Sequence, residues 1–197
     1  MRIFAIGLSI VVNNMNNVYV FLAEGFEEIE ALAPVDVMRR AGLEVTLVSV
    51  TDKLVVNGAH GIAVGADALF SDVDYADADL LFLPGGLPGA TNLEAHEGLA
   101  QLLVNKAQEG ILVSAICAAP LVLGGLGLLN GKRATCYPGF EDTMQGACYT
   151  AEKVTRDGNV FTACGPAAAW DLGFAFVEHF CGAEKAAQLR EGMQFNR

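Results

Sequence analysis

The chain has 197 residues and cysteines at 117, 136, 148, 164 and 181, and one of these stands where a thiol can do chemistry. Ile111 to Ile116 is a short apolar run of the kind that fills a strand buried on both faces of a parallel sheet. At Cys117 the pattern breaks into Ala118, Ala119, Pro120, Leu121, Val122 and Leu123, small and then apolar. The proline falls where the first turn of a helix loses no hydrogen bond to it. The break predicts a strand-to-helix turn at Cys117. A thiol there faces free backbone N–H groups and the positive end of a helix dipole, which should lower its pKa and make it nucleophilic. The geometry is that of a nucleophile elbow with sulfur in place of oxygen. Cysteine is also a small hydrophobe that favours burial; the position at a strand end, where open α/β sheets bind ligands, is what argues for chemistry.

Two further features could serve such a thiol. Leu80 to Leu83 reads as another buried strand and runs directly into Pro84-Gly85-Gly86-Leu87-Pro88-Gly89. A glycine pair at a strand's C-terminal end lets backbone N–H groups approach a ligand closely, as an oxyanion site requires. Glu27, Glu28 and Glu30 lie in or near the first turn of a helix expected after Gly25, where acids suit the helix dipole. His60 falls between the arms of an expected hairpin around Asn57-Gly58 and Gly61, where a histidine is ordinarily just solvated.

The elements that must position these residues follow from periodicity. Val18 to Leu22 predicts the first central strand. Ile29, Leu32, Ala33, Val37 and Met38 fall at helical spacing, with Arg39 and Arg40 in the last turn and Gly42 behind them. Glu44 to Val50 predicts the next strand, completing a βαβ unit. Thr91 to Gln108 reads as one helix closed by Gly110. Ala134 to Tyr137 reads as a short strand ending at Pro138. Glu152–Arg156 and Asn159–Ala163 flank Asp157-Gly158, a hairpin signal, and a long apolar helix follows Gly165-Pro166. His179 sits near that helix's end, where a structural reason suffices, and no catalytic role is assigned to it.

Composition narrows the field further. Apolar residues make up 53% and glycine occurs 22 times, which argues for a tightly wound α/β protein and against disorder. A formal charge of -11 argues against nucleic acid and anionic membrane surfaces as partners. An odd number of cysteines without a C-x-x-C pair reads as free thiols in a reducing compartment, the cytoplasm, with no disulfide framework and no metal site. No G-x-G-x-x-G follows the first strand, so a dinucleotide is not expected, and no cofactor is assigned. The length suits a single domain over residues 15–197. Residues 1–14, apolar with one basic residue, read as an extension or extra strand ahead of Met15; as an export signal they lack small cleavage-site residues, and no stretch reaches the roughly twenty apolar residues that span a bilayer.

GFEEIEALAPVDVMRRAG, LLFLPGGLPGA and ILVSAICAAP occur in that order. Together they resemble the ThiJ/PfpI superfamily, and most closely its branch containing the human Parkinson-disease-associated protein deglycase and its bacterial relatives. The similarity runs from about Val18 to about Gln188. It implies a flavodoxin-like three-layer α/β sandwich with a mostly parallel central sheet, in a homodimer. It also implies that Cys117 is the reactive cysteine, that Glu30 hydrogen-bonds its sulfur, and that the Gly86 and Ala118 N–H groups face that sulfur or a bound oxyanion. His60 matches a position that the partner subunit contributes near the site.

Two departures bear on activity. Ala118 stands where the protease-like branch has a histidine, which removes the base a peptidase needs. Tyr137 stands before Pro138 where the human relative has a histidine, and tyrosine is no base near neutral pH. The resemblance implies a stress-protection protein acting on reactive dicarbonyls such as methylglyoxal or their adducts, in the manner of a glyoxalase or deglycase. Its alternative is a redox sensor or chaperone whose Cys117 is oxidised without turnover. A thiamine-pathway enzyme, a protease or an amidotransferase has less support; Glu178 and His179 are adjacent, unlike the His-x-Glu of an amidotransferase.

Overall fold

Residues 16–195 are described by a computed structural model, and the extension or extra strand expected over residues 1–14 lies outside them. β1 (Asn17–Leu22) leads through α1 (Glu28–Ala41) to β2 (Glu44–Ser49), the βαβ unit that periodicity predicts. β3 (Val55–Asn57) and β4 (Ala63–Gly65) pair antiparallel as the expected hairpin, followed by the short β5 (Ala68–Leu69). β6 (Ala78–Leu83), α2 (Gly89–Glu94), α3 (Glu97–Gln108), β7 (Leu112–Ile116) and α4 (Pro120–Gly125) come next. The chain continues through β8 (Arg133–Ala134), β9 (Cys148–Tyr149), β10 (Val154–Asp157), β11 (Val160–Ala163), α5 (Ala169–Cys181) and α6 (Ala183–Gly192).

The main sheet has the strand order β10-β11-β7-β6-β1-β2-β5, and every neighbouring pair is parallel except β10 with β11. Alternate residues of each strand feed opposite faces, as a pleat requires. Val18, Val20, Leu22, Phe82 and Ile116 pack with Val37, Met38, Leu172 and Phe176 beneath α1 and α5. Tyr19, Phe21, Leu81, Leu83 and Val113 pack on the other face with Leu93, Leu99, Leu103 and Leu123. Each large apolar side chain so buried contributes about 1.5–3 kcal/mol. The result is the expected three-layer sandwich.

From β1 the chain steps to β2 on one side, whereas from β6 it steps to β7 on the other. Strand order therefore reverses between β1 and β6. Outside the carboxyl ends of these strands the connecting loops part, and open α/β sheets bind their ligands in that crevice.

The structure corrects three readings. The helix expected over residues 91–108 is two, because His96 Nδ1 accepts the Leu99 N–H at 2.9 Å and starts a second helix at Glu97. The strand expected over Ala134–Tyr137 stops at Ala134, where β8 loses its partner β9. Ile29, placed on the buried stripe of α1, is 51% exposed, while Glu28 and Glu30 are buried. The first turn of α1 thus turns its acids inward, towards the crevice. Among the described residues no helix is long and apolar enough to cross a membrane.

Candidate active site

Cys117 is the first residue after β7, and its φ of 65° is one that non-glycine residues rarely adopt. Such backbone costs about 1–3 kcal/mol and persists only where its surroundings over-determine it. Here they do: the Cys117 N–H donates to the Ala163 carbonyl at 2.9 Å, and its carbonyl accepts from the Tyr137 N–H at 2.8 Å. The expected elbow is therefore present. Proline occupies the start of the helix behind it, as predicted, but that helix is only six residues long.

Glu30 reaches the same point from α1. Glu27 caps that helix, its Oε2 accepting the Glu30 N–H at 2.7 Å. In a reciprocal capping box the carboxyl three residues on would return to the cap's own N–H. Here the Glu27 N–H donates instead to the Gly85 carbonyl at 2.9 Å, which frees the Glu30 carboxyl to face the crevice. Glu30 is fully buried. Its Oε2 accepts the Gly85 N–H at 2.9 Å, its Oε1 has no hydrogen-bond partner, and its carboxyl lies beside Cys117, close enough for each group to shift the other's pKa. A buried carboxyl oxygen with no donor is where a proton belongs.

The electrostatics agree. Burial is the main reason the Glu30 carboxyl is pushed up to about 7; the Glu27 charge adds to it, while the thiol and the Gly85 N–H pull the other way. Burial likewise pushes the Cys117 thiol above its ordinary value, and the Glu30 charge and hydrogen bond push it further, against the Ala118 and Gly86 N–H groups that favour the thiolate. Burial and the Glu30 carboxylate thus act against the lowering expected from a helix dipole. A six-residue helix supplies little dipole, and the nearest full charge is negative. The two acids behave as a pair whose last proton is shared.

Glycine is required between them. A Cβ on Gly85 would lie 2.5 Å from Glu30 Oε2 and 2.8 Å from the Cys117 Cβ. Gly86 has φ 86°, and its N–H and that of Ala118 draw the Cys117 thiol towards the thiolate. The sequence reading singled out the glycine pair as donors to a ligand; it missed that the Gly85 N–H serves Glu30. It also missed the cap at Glu27, for which the capping-box spacing of Glu27 and Glu30 was the available signal.

His60 lies in the β3–β4 turn, two-thirds exposed, with Nδ1 2.7 Å from Glu28 Oε2 and 3.8 Å from Glu27 Oε1. The Glu28 carboxylate, by its hydrogen bond and charge, holds the imidazole pKa above its usual value. Among the described residues Glu27, Glu28 and His60 form the one group spaced to share a metal ion. The Glu28 oxygens are already engaged with His60 and with the N–H groups of His60 and Ile62, which makes the group a clasp between α1 and the hairpin. Tyr137 is joined to the site through its backbone, and the residue is 47% exposed. His179 is remote, edge-on to Phe161 and Phe180. It lines a cavity of about 410 Å³ with Asp79, Ile111 and Asn159 at the opposite end of the sheet.

The Glu30 charge suppresses the Cys117 thiolate, so Glu30→Gln should move the pH midpoint of Cys117 alkylation down and speed alkylation near pH 8.5. Mass-spectrometric mapping of alkylation against pH in both proteins checks this, and a midpoint unchanged or raised in the variant would contradict the pairing.

Comparison with known proteins bears on the whole chain. The profile of the DJ-1/PfpI family matches residues 16–179. The protein DJ-1 homolog B of Arabidopsis thaliana is 39% identical over 180 residues, which cover 90% of this chain and 41% of that protein, so the chain spans under half of that relative's length. A Pyrococcus abyssi protein named a deglycase is 33% identical over 72% of this chain and 86% of its own. The structure of oxidized Toxoplasma gondii DJ-1 superposes with a TM-score of 0.88 at 33% identity, covering 92% of this chain and all of that one. With the flavodoxin-like sandwich and the elbow cysteine in place, the chain belongs to the DJ-1/PfpI family.

Proposed function

We propose that the chain is a cysteine-dependent stress-protection protein that acts on reactive dicarbonyls or their adducts, a glyoxalase or deglycase. The observation that carries this reading is the fully buried Glu30 carboxyl set beside the elbow cysteine, Cys117. The relative from Pyrococcus abyssi that bears the name deglycase supports it.

The pair supplies what the reaction needs. When the shared proton passes from the Cys117 sulfur to Glu30, Cys117 becomes a thiolate and adds to the aldehyde carbon of methylglyoxal. The Gly86 and Ala118 N–H groups hold the oxyanion of the resulting thiohemiacetal, and Glu30 protonates it. Glu30 then removes the proton from the carbon bearing sulfur and returns it to the neighbouring carbon, which turns the hydroxyketone into a thioester. Water cleaves the thioester to lactate and restores the thiol. Methylglyoxal and one water are consumed, and no outside oxidant or reductant is needed. Tyr137, where the human relative has a histidine, favours the second reading, a redox-responsive protein whose Cys117 is oxidised without turnover.

Apolar side chains left exposed on α1 and the neighbouring hairpin, Ile29, Val55 and Ile62, each more than half exposed, support a homodimer. In it His60 of one subunit approaches Cys117 of the other. Five free cysteines suit a reducing compartment such as the cytoplasm.

Purified protein given methylglyoxal should form lactate, Cys117→Ala should abolish this, and Glu30→Gln should lower turnover about a hundred-fold or more. Lactate formation undiminished in Cys117→Ala would sink the mechanism; no lactate from the wild type, with Cys117 reversibly oxidised by peroxide, would select the redox reading. At micromolar concentration the protein should sediment as a dimer, and a monomer would remove the shared site.

A further inference from the structure

The parallel pairing of β7 with β11 sets Ala163 opposite Ile116, and the Cys117 N–H continues the ladder by donating to the Ala163 carbonyl at 2.9 Å. The next residue on each strand is a cysteine. Cys117 and Cys164 therefore leave the sheet side by side. Neighbouring strands run about 4.8 Å apart, inside the window of about 4.4–6.8 Å between Cα atoms that a disulfide spans. Both side chains pack against the rim of the same apolar cluster, and both are half-buried. The other three thiols are placed differently. Cys136 is wholly buried, and burial pushes its thiol up to about 11. Cys148 and Cys181 are exposed, on β9 in a separate two-stranded sheet and at the end of α5.

We propose that Cys164 is the resolving thiol for an oxidised Cys117, so that the site reduces hydroperoxides through an intrachain Cys117–Cys164 disulfide. The Cys117 thiolate attacks one oxygen of hydrogen peroxide, the O–O bond breaks, and Cys117 becomes a sulfenic acid as the departing hydroxide is protonated to water. The Cys164 thiolate then attacks the Cys117 sulfur. The S–S bond forms, the S–O bond breaks, and the buried carboxyl of Glu30 gives the leaving hydroxide its proton. In sum two thiols and one peroxide become a disulfide and two waters, the thiols supplying both electrons. A small dithiol reductant would return the pair to its starting state. The route competes with further oxidation of Cys117 to the sulfinic acid, which ordinary thiols cannot reverse. It rests on Cys117 being the reactive thiol of the site and not on its acting on dicarbonyls.

The test uses the full chain, fully reduced, then treated with one equivalent of hydrogen peroxide, alkylated and digested without reductant. Mass spectrometry should find the Cys117 and Cys164 peptides joined, two hydrogens lighter than their sum. In Cys164→Ser the joined pair should vanish, and excess peroxide should carry Cys117 to the sulfinic acid, two oxygens heavier, under conditions where the wild type stops at the disulfide. Cys117 joined chiefly to another cysteine, or sulfinic acid accumulating equally in both proteins, would overturn the proposal. Mapping the wild type needs no variant, so a Cys164→Ser protein that folds poorly still leaves a decision. The readout involves neither methylglyoxal nor lactate, so it and the dicarbonyl assay can fail separately.

Discussion

A carboxylic acid buried against a thiol is the constraint around which this end of the molecule is built. Glu30 can face Cys117 only if the first turn of α1 points its acids inward, which leaves Ile29 exposed on the outer side. The Glu30 carboxyl is available only because Glu27 caps the helix with its side chain and gives its own N–H to the Gly85 carbonyl. Nothing larger than glycine fits at residue 85, between the carboxyl and the Cys117 Cβ. On the thiol's side, strained backbone at Cys117 is held by hydrogen bonds to two other segments of chain. Three strand ends, β1 through α1, β6 and β7, thus converge on one proton.

That arrangement works against stability. The folded carboxyl of Glu30 lies near 7, above the ordinary carboxylate value of about 4.3 in an unfolded chain. Its contribution to stability is whole below the unfolded value and is lost as the pH rises through the folded one, because the unfolded chain ionises more readily. A glutamine would remove this liability, yet it could neither give nor take a proton. Retaining a titratable acid where a neutral amide would be easier to bury is the usual trade of stability for reactivity at a working site.

Much of this could be read from the sequence because it depends on local pattern. The apolar run ending at Cys117, the proline after it and the glycine pair after β6 each encode backbone geometry, and the sheet and elbow follow from them. The family's motifs supplied the link between Glu30 and Cys117, which lie 87 positions apart in sequence and which no periodicity connects. Helical spacing misjudged α1 at Ile29, because burial there is decided by the crevice and not by the apolar stripe. The terms that oppose a lowered thiol pKa were harder to see for a related reason. A helix start next to a cysteine is visible in local sequence, but its length of only six residues and the burial around the thiol are not. The break at His96 depended on one ring nitrogen accepting a backbone N–H.

The central claim is that Glu30 stays protonated well above the usual carboxylate range because it is buried, with the Glu27 charge adding to the effect. Carbon NMR of the Glu30 side-chain carboxyl, labelled and followed through a pH titration of the native protein, reads this directly. A titration midpoint near 7 is the result the account predicts, and a midpoint in the ordinary carboxylate range, about 4 to 5, would contradict it.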